Sequence, residues 1–563
     1  MAETHKNKKK KKDDFLMQGA ILAFAAVITK IIGVAYRIPL TNILGDEGNG
    51  FYGYAFEVYS LALILSSFSF PIAVSKLVSA RMAMRQRRNA FRVFKCALAF
   101  SIAVGAVVTV VIFFGAGPIA TYLMESPLSV YALKVLAPGL FIVSVMGVLR
   151  GYFQGLGTMV PTAVSQVIEQ IINAVISLVG ASVLFKIGLK AAERKNEELL
   201  GPAYGAAGGT LGTIMGALAG LLFLLFALFA FQSVIKRQLK SDKSRKKESY
   251  NRILKILILT IIPVIFSTAI YNINQLIDLT LFNKIMSAQG LVEKEYMALQ
   301  GIYTGKYNPL INVPMAMANG LAASVIPSLT AAVTANDRHL IHSKINQTIR
   351  FTMLVAIPCF VGFVVLASPL MVLLYNDSNK TPALLLAIGA ITVVFYCWST
   401  VSNSILQGLD KMSTPAKNAG ISLVIHIIAL LIMLIVLKWN IYALVGSNIV
   451  FSVCMCFLNA RAIHKASGYR QEMERTFVKP LISAVIMGIV TYAAHRLFSL
   501  VMPGRFIATT LAVLIAVIVY ALCILKLGTL TEQDIKDLPQ GYKILRLCRR
   551  FHLLPHKKGN MEL

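Results

Sequence analysis

The chain has 563 residues, of which 57% are hydrophobic and only 14% charged, and its formal net charge is +30. A water-soluble globular protein carries about a quarter of its residues as charged side chains. The composition therefore excludes a soluble protein and favours one that is embedded in a membrane.

Apolar runs of about twenty residues, the length of a helix that crosses a bilayer, recur along the chain. We count fourteen, beginning near Phe15, Tyr52, Val93, Leu128, Pro161, Ala203, Ile256, Asn308, Phe351, Pro382, Ala416, Ile441, Phe477 and Phe506. The first run has spanning length and no small-residue cleavage site after it, so we expect a membrane helix rather than a signal peptide. These runs predict an all-α polytopic membrane protein with about 14 transmembrane helices.

The positive charge is concentrated in alternate connections between these predicted spans. The main clusters are Lys6–Lys12, Arg81–Lys95, Lys236–Lys255, Arg461–Lys479 and Lys526–Lys558. By the positive-inside rule, this distribution places both termini in the cytoplasm. No aromatic-interleaved basic motif accompanies the clusters, so we expect no nucleic-acid partner.

A short motif near the end of the fourth span recurs near the end of the tenth. Gln154-Gly155-Leu156 corresponds to Gln407-Gly408-Leu409, six spans later. An even offset gives a parallel repeat, a known transporter architecture, although chance similarity of two turns is the alternative. We predict a basic cytoplasmic tail at 1–14, a first lobe at 15–233, a basic cytoplasmic connector at 234–255, a second lobe at 256–463, spans 13 and 14 at 464–526 and a basic cytoplasmic tail at 527–563.

Two cations lie in or at the end of the first predicted span. Lys30 and Arg37 are seven residues apart and share one helix face. A cation at mid-bilayer costs about 2.5–3.5 kcal/mol on insertion scales, so it is usually functional or paired. The pair predicts a cavity that holds an anion. The alternative is that both cations reach the interface or pair with an internal carboxylate.

Other polar residues fall within the predicted spans. Glu57 and Asp278 could bind a coupling H⁺ or Na⁺, or could neutralise the cations, and we favour neutralisation for Glu57. Asn308 and Asn312 lie in the eighth span, where helix–helix contact is the alternative to ligand binding. No His, Cys and Asp cluster has metal-ligand spacing, so we expect no metal and no cofactor beyond a coupling ion.

Several motifs together are typical of one family. They are Lys30-x-x-Gly33-x-x-x-Arg37, Leu44-Gly45-x-x-Gly48-x-Gly50-x-Tyr52, Phe70-Pro71-Ile72-Ala73-Val74-Ser75-Lys76, Tyr307-Asn308-Pro309-Leu310-Ile311-Asn312-Val313-Pro314 and Ile326-Pro327-Ser328-Leu329. They resemble the SpoVB/YtgP-type oligosaccharide flippases, a MATE-like family related to the lipid II flippase MurJ. The chain departs from MurJ-type proteins at two positions. Those proteins have an arginine three residues after the glycine of the first helix, where this chain has Tyr36, and the cation here is Arg37. They also have an arginine in the eighth span where this chain has Pro309, and the nearest cation here is Lys306.

The resemblance implies a MATE-like fold of two six-helix lobes around a central cavity, with two extra C-terminal helices. It implies a flippase of the bacterial plasma membrane that moves a polyprenyl-pyrophosphate-linked oligosaccharide or peptidoglycan precursor from the inner to the outer leaflet. The partners are then the lipid-linked glycan and membrane lipids, and we expect a monomer. The substrate-binding residues that we predict are Arg37, Lys30, Lys306, Glu57, Asp278, Asn308 and Asn312.

Three other functions remain open. A MATE-type exporter of small molecules or drugs would need uncompensated carboxylates in its cavity, whereas cations predominate in these spans. A membrane enzyme would need acidic residues or a metal site in a large external loop, and the loops near 186–202 and 283–307 mix glutamates with lysines. A non-transporting scaffold would leave the charges in the spans without a use. We therefore predict a transporter that opens alternately to each side, not an enzyme.

Overall fold

The computed structural model describes residues 2–240, 242, 247–501, 505–530 and 545–546. Within these residues the fold is all helical. The α-helices are α1 Ala2–Ser66, α2 Phe70–Ala83, α3 Arg87–Pro118, α4 Val130–Gly155, α5 Val160–Lys195, α6 Leu200–Ala230, α7 Gln232–Lys240, α8 Tyr250–Ala288, α9 Glu293–Gly301, α10 Asn308–Thr334, α11 Arg338–Val365, α12 Ala367–Tyr375, α13 Lys380–Gly389, α14 Ile391–Gly408, α15 Ser413–Leu431, α16 Tyr442–Ser467, α17 Lys479–Val501 and α18 Arg505–Lys526. Short π-helical segments occupy Ile119–Leu123, Ile302–Tyr307, Ile432–Val436 and Glu474–Val478, and a 3₁₀ turn occupies Pro127–Ser129.

Twelve helical segments in the described part are long and apolar enough to cross a membrane. The chain is therefore a multi-pass membrane protein, as its composition predicts. The expected count of fourteen is not confirmed. The first segment, Phe24–Ala83, contains the first two predicted spans, and α8, at the seventh predicted position, is not among the twelve.

A glycine breaks α1 into two helical arms. As one straight helix its 65 residues would extend about 98 Å, more than twice the thickness of a bilayer. Gly45 has φ 68° and ψ −177°, a region of backbone conformation that essentially only glycine occupies. The glycine at this position of the Leu44–Tyr52 motif is therefore required by the bend.

Beyond the bend, the second arm of α1 crosses α9 with the two backbones in contact. A Cβ atom on Gly50 would overlap the carbonyl of Met297, and one on Gly301 would overlap the carbonyl of Asp46. Close approach of this kind requires small residues, as in small-residue contacts between membrane helices. Thr304 adds a hydrogen bond next to this contact, since its Oγ1 donates to the carbonyl of Asn49 at 3.2 Å.

The chain divides into two compact units, Met1–Gly305 and Lys306–Leu563, here called unit 1 and unit 2. Unit 1 includes α8 and α9, which follow the connector predicted at 234–255. The lobe boundaries inferred from the sequence stay a prediction. The core of unit 1 lies where α2, α3, α4, α6 and α8 meet, and its buried side chains include Phe70, Val74, Phe94, Tyr152, Leu224 and Ile253.

Two acidic residues of the predicted connector bind the turn between α2 and α3. Glu248 accepts from Arg81 through both carboxylate oxygens, at 3.0 and 2.6 Å. Its backbone N–H donates to Asn89 Oδ1 at 3.1 Å. Asp242 Oδ2 accepts from the backbone N–H of Arg88 at 2.6 Å. The described residues on both sides of 243–246 are thus bonded to α2 and α3.

Polar side chains join the helices of unit 2. Asn418 donates to Asn459, and Asn459 donates to Asn403, both at 2.8 Å, which links α15, α16 and α14. His426 is fully buried and hydrogen-bonds the carbonyl of Ser447 at 2.8 Å. Hydrogen bonds between membrane helices stabilise their association, so these residues have a structural use.

Candidate functional site

The bend at Gly45 brings Arg37 from the first arm of α1 against Tyr52 of the second arm. Fifteen residues on an unbroken helix would separate them by about 22 Å. Instead, the guanidinium carbon lies 4.2 Å from the centre of the Tyr52 ring. A guanidinium over an aromatic ring gains roughly 0.5–1 kcal/mol when exposed and about 2 kcal/mol when desolvated. Arg37 is half-buried and Tyr52 is buried, so the ring holds the cation in place.

The N–H groups of Arg37 have no acceptor in the part of the protein that the structure describes. Among the described residues, Arg37 makes no hydrogen bond and no ion pair within 4 Å. Glu57, half-buried on the second arm, lies within electrostatic reach of Arg37 without pairing to it. Lys30 shares the helix face of Arg37, is exposed, and likewise has no hydrogen-bond or ion-pair partner in the described part. The arrangement leaves cationic donors available to an anion.

A polar face of α5 lies beside this part of α1. The amide of Asn173 donates to the hydroxyl of Tyr36 at 3.3 Å, and its oxygen accepts from Ser177 at 2.9 Å. Gly33 packs beside Gln170, whose Nε2 would lie 3.4 Å from an added Cβ. Tyr36 is therefore a hydrogen-bonded contact between α1 and α5.

A second cation in unit 1 was missed by the sequence analysis. Arg150, near the end of α4, pairs with Glu169 of α5 at 2.6 Å and donates to Ser165 at 3.1 Å. The side chains of Arg150 and Glu169 are 14% and 28% exposed. A cation near the end of a span usually extends to the membrane interface. The position of Arg150 in the sequence therefore does not predict an ion pair. The nearby hydroxyl of Tyr59 is buried and has no hydrogen-bond partner among the described residues.

The remaining predicted site residues are distributed over both units. In unit 1, Asp278 of α8 is fully buried in protein. In unit 2, Lys306 donates to Asp377 at 2.5 Å in an ion pair whose side chains are both less than a tenth exposed. Asn308 is half-buried and Asn312 is exposed on α10. Lys306 thus has a structural partner, whereas Arg37, Lys30 and Glu57 share one region of unit 1.

Comparison with known proteins identifies the family. A family model described as a polysaccharide biosynthesis protein matches residues 15–333, more than half of the chain. The chain belongs to this family. A second model, MatE, matches residues 303–432.

Three proteins of Bacillus subtilis (strain 168) are similar in sequence. The uncharacterized membrane protein YabM is 26% identical over 546 residues, which is 96% of this chain and 98% of YabM. The lipid II flippase MurJ is 26% identical over 557 residues, 94% of this chain and 98% of MurJ. Stage V sporulation protein B is 23% identical over 410 residues, 72% of this chain and 75% of that protein. The resemblance to the SpoVB/YtgP type, inferred from the motifs, is confirmed.

Solved structures show the same fold. The lipid II flippase MurJ in an inward closed conformation aligns with a TM-score of 0.61 at 15% identity, over 90% of this chain and 98% of that one. An inward-facing multidrug resistance MATE transporter aligns with a TM-score of 0.60 at 16% identity, over 78% and 96%. The predicted MATE-like, all-helical fold class is therefore confirmed.

Proposed function

We propose that this protein is a flippase that moves a polyprenyl-pyrophosphate-linked oligosaccharide or peptidoglycan precursor from the inner to the outer leaflet by alternating access. The observation that carries the proposal is Arg37, a half-buried cation of a membrane helix whose donors have no acceptor among the described residues. The family, and the similarity to a lipid II flippase, support the class of substrate.

Arg37 suits a pyrophosphate for a chemical reason. A guanidinium offers a planar fork of donors that binds two phosphate oxygens at once, and it stays charged at all physiological pH values. In a site shielded from water, such charge-assisted bonds offset the cost of desolvating the phosphates. Lys30, on the same helix face, adds a second positive charge. Glu57 balances these charges when no substrate is bound.

The transport step needs no covalent chemistry. The polyprenyl chain can remain in lipid while the polar head group crosses, so the protein has only to shelter the head group. We further propose that both termini lie in the cytoplasm of a bacterial cell and that the monomer is the working unit. The energy comes from the membrane potential or from a coupled H⁺ or Na⁺.

Reconstitution tests the proposal directly. The purified protein is placed in liposomes that carry a fluorescent polyprenyl-pyrophosphate-linked sugar, and access of a membrane-impermeant quencher to the sugar is followed. We expect exchange between leaflets to become several-fold faster than in protein-free liposomes. In cells, depletion of the protein should cause one such precursor to accumulate on the cytoplasmic face. No acceleration with any pyrophosphate-linked sugar, together with no accumulation, would refute the proposal.

A MATE-type exporter is the second candidate, favoured by the MatE match at residues 303–432 and by the shared fold. Export of cationic compounds requires free carboxylates, whereas Glu169 is paired with Arg150 and Glu57 lies within electrostatic reach of Arg37. Efflux of a cationic dye from the same liposomes, without movement of the lipid-linked sugar, would establish this alternative.

A further inference from the structure

Unit 2 contains an open pocket whose walls include several polar side chains and none of the predicted substrate-binding residues. The beginning of α11 and the segment 468–473, which follows α16, border this open pocket, which has a volume of about 540 Å³. Its walls include His339, His342, Asn346, Tyr469, Arg470 and Glu472. Pockets that bind small ligands have volumes of roughly 300–1,000 Å³, and the volume of this pocket falls within that range.

Hydrogen bonds hold the walls of this pocket in place. Tyr469 is buried, and its hydroxyl donates to Asn346 at 3.2 Å. Burial raises the pKa of Tyr469 to about 12, so the hydroxyl keeps its proton and remains a donor. The imidazole of His342 hydrogen-bonds the carbonyl of Ser467 at 2.8 Å and lies edge-on to Tyr469. The segment 468–473 is therefore fixed to α11 without a ligand.

The pocket wall carries one arginine, Arg470, and one carboxylate, Glu472. Glu472, its acidic wall residue, accepts from the backbone N–H of Arg475 at 2.5 Å and from the hydroxyl of Thr476 at 2.8 Å. The same carboxylate lies 3.8 Å from the guanidinium of Arg350. Because these groups compensate Glu472, the exposed Arg470 sets the local charge, and the exposed imidazole of His339 is a further donor.

We propose that this pocket is a binding site for a phosphate-bearing anion about the size of a lipid head group. The guanidinium of Arg470, the imidazole of His339 and the amide nitrogen of Asn346 lie along one open pocket and match the several oxygens of a phosphate group. The site is independent of the proposed transport of a glycan, since it lies in unit 2 and involves none of the proposed substrate residues.

The position of the pocket along α11 indicates two sources of such an anion. His339 and Asn346 precede the apolar part of α11, which begins near Phe351, by twelve and five residues. At 1.5 Å per residue these are distances of about 18 and 8 Å, which extend from the head-group layer into the aqueous phase. An anionic phospholipid can therefore reach the site from the membrane, and a soluble phosphate ester from solution.

Two binding measurements on the purified full-length protein distinguish these sources. Native mass spectrometry counts phosphatidylglycerol retained from mixed micelles, with phosphatidylcholine, which is zwitterionic and has no net charge, as the comparison. Isothermal titration calorimetry measures glycerol 1-phosphate. We expect one of the two phosphate compounds to bind, phosphatidylglycerol if the lipid is the ligand and glycerol 1-phosphate if the ligand is soluble.

A matched pair of variants tests the site itself. Arg470→Ala removes the arginine of the pocket wall, and Arg461→Ala removes an exposed arginine near the end of α16 that does not line the pocket. We expect Arg470→Ala to weaken binding about tenfold or more, and Arg461→Ala less than twofold. Equal weakening by the two variants would mean that general surface charge attracts the anion. That result, or no binding of either probe to the wild type, would overturn the proposal.

Discussion

At the scale of single residues, the surroundings of Arg37 differ from those of two other arginines of unit 1, Arg81 and Arg150. Arg81 and Arg150 each have a carboxylate partner at 2.6 Å, whereas Arg37 rests on the face of Tyr52. An aromatic face orients a guanidinium without using its N–H donors. The donors of Arg37 thus stay available to a substrate, and the donors of the paired arginines do not.

The first prediction is that Arg37→Ala abolishes transport in a protein that still inserts and folds. Each charge-assisted hydrogen bond contributes about 1.5–3 kcal/mol, so the loss should exceed tenfold. Arg37→Lys should rescue only part of the activity, because the charge remains but the fork is lost. Lys134→Ala, which removes an exposed cation elsewhere in unit 1, is the control and should keep near-normal rates. Full activity of Arg37→Ala in the liposome assay would contradict a cationic binding site.

Glu57 gives the second prediction. If Glu57 only balances Arg37, as we expect, Glu57→Gln should leave transport intact and tighten substrate binding several-fold, because a competing negative charge is removed. Rates and binding of the lipid-linked sugar are measured on the same preparation. Persistent binding with transport stopped would instead assign Glu57 to a coupling proton or ion.

At the scale of secondary structure, the contact between α1 and α9 depends on glycines. Gly45 provides the bend, and Gly50 and Gly301 allow the two backbones to touch. The position of Arg37 relative to Tyr52 follows from the same bend. We therefore propose that the glycine-rich motif after the first span positions Arg37 through the path of the chain.

The third prediction concerns this contact. Gly301→Ala adds a methyl group that would overlap the carbonyl of Asp46, and backbone cannot easily move away. We expect a destabilisation of about 1–3 kcal/mol, seen as a lower midpoint in thermal unfolding of the detergent-solubilised protein. Gly117→Ala is the matched control, since an added Cβ there meets nothing within 4 Å. The close contact would be disproved by equal midpoints for the two variants.

At the scale of the whole molecule, the chain has the MATE-like helical fold. Its lysines and arginines are concentrated in alternate connections between the predicted spans. The basic clusters follow the positive-inside rule only if both termini face the same compartment. Asp242 and Glu248 of the connector also make specific hydrogen bonds to α2 and α3, so these acidic residues have a role beyond topology.

The fourth prediction is topological. Reporter fusions at Lys243 and Lys558, both outside the described residues, should report the cytoplasm, and one at Glu197 should report the exterior. The Lys/Arg bias produces this orientation during insertion. Alkaline phosphatase and green fluorescent protein, which are active on opposite sides, provide complementary readouts. An external signal at Lys243 would contradict the proposed orientation.

The class of the protein and its family were determined by the sequence alone, because both depend on local features. A bilayer demands apolar runs of spanning length, and the signature around Lys30, Arg37 and Gly45 is continuous in the chain. Arg37 could be identified from the sequence as a candidate site residue, because a cation inside a span is costly whichever helices surround it.

Only the tertiary structure decided which charged residues have partners. Arg150 with Glu169, and Lys306 with Asp377, are pairs between separate segments, so no spacing within one helix predicts them. The same holds for the approach of Arg37 to Tyr52, which depends on the bend at Gly45. Hydropathy and charge act along the chain, whereas pairing depends on which helix faces meet, and that is set by packing.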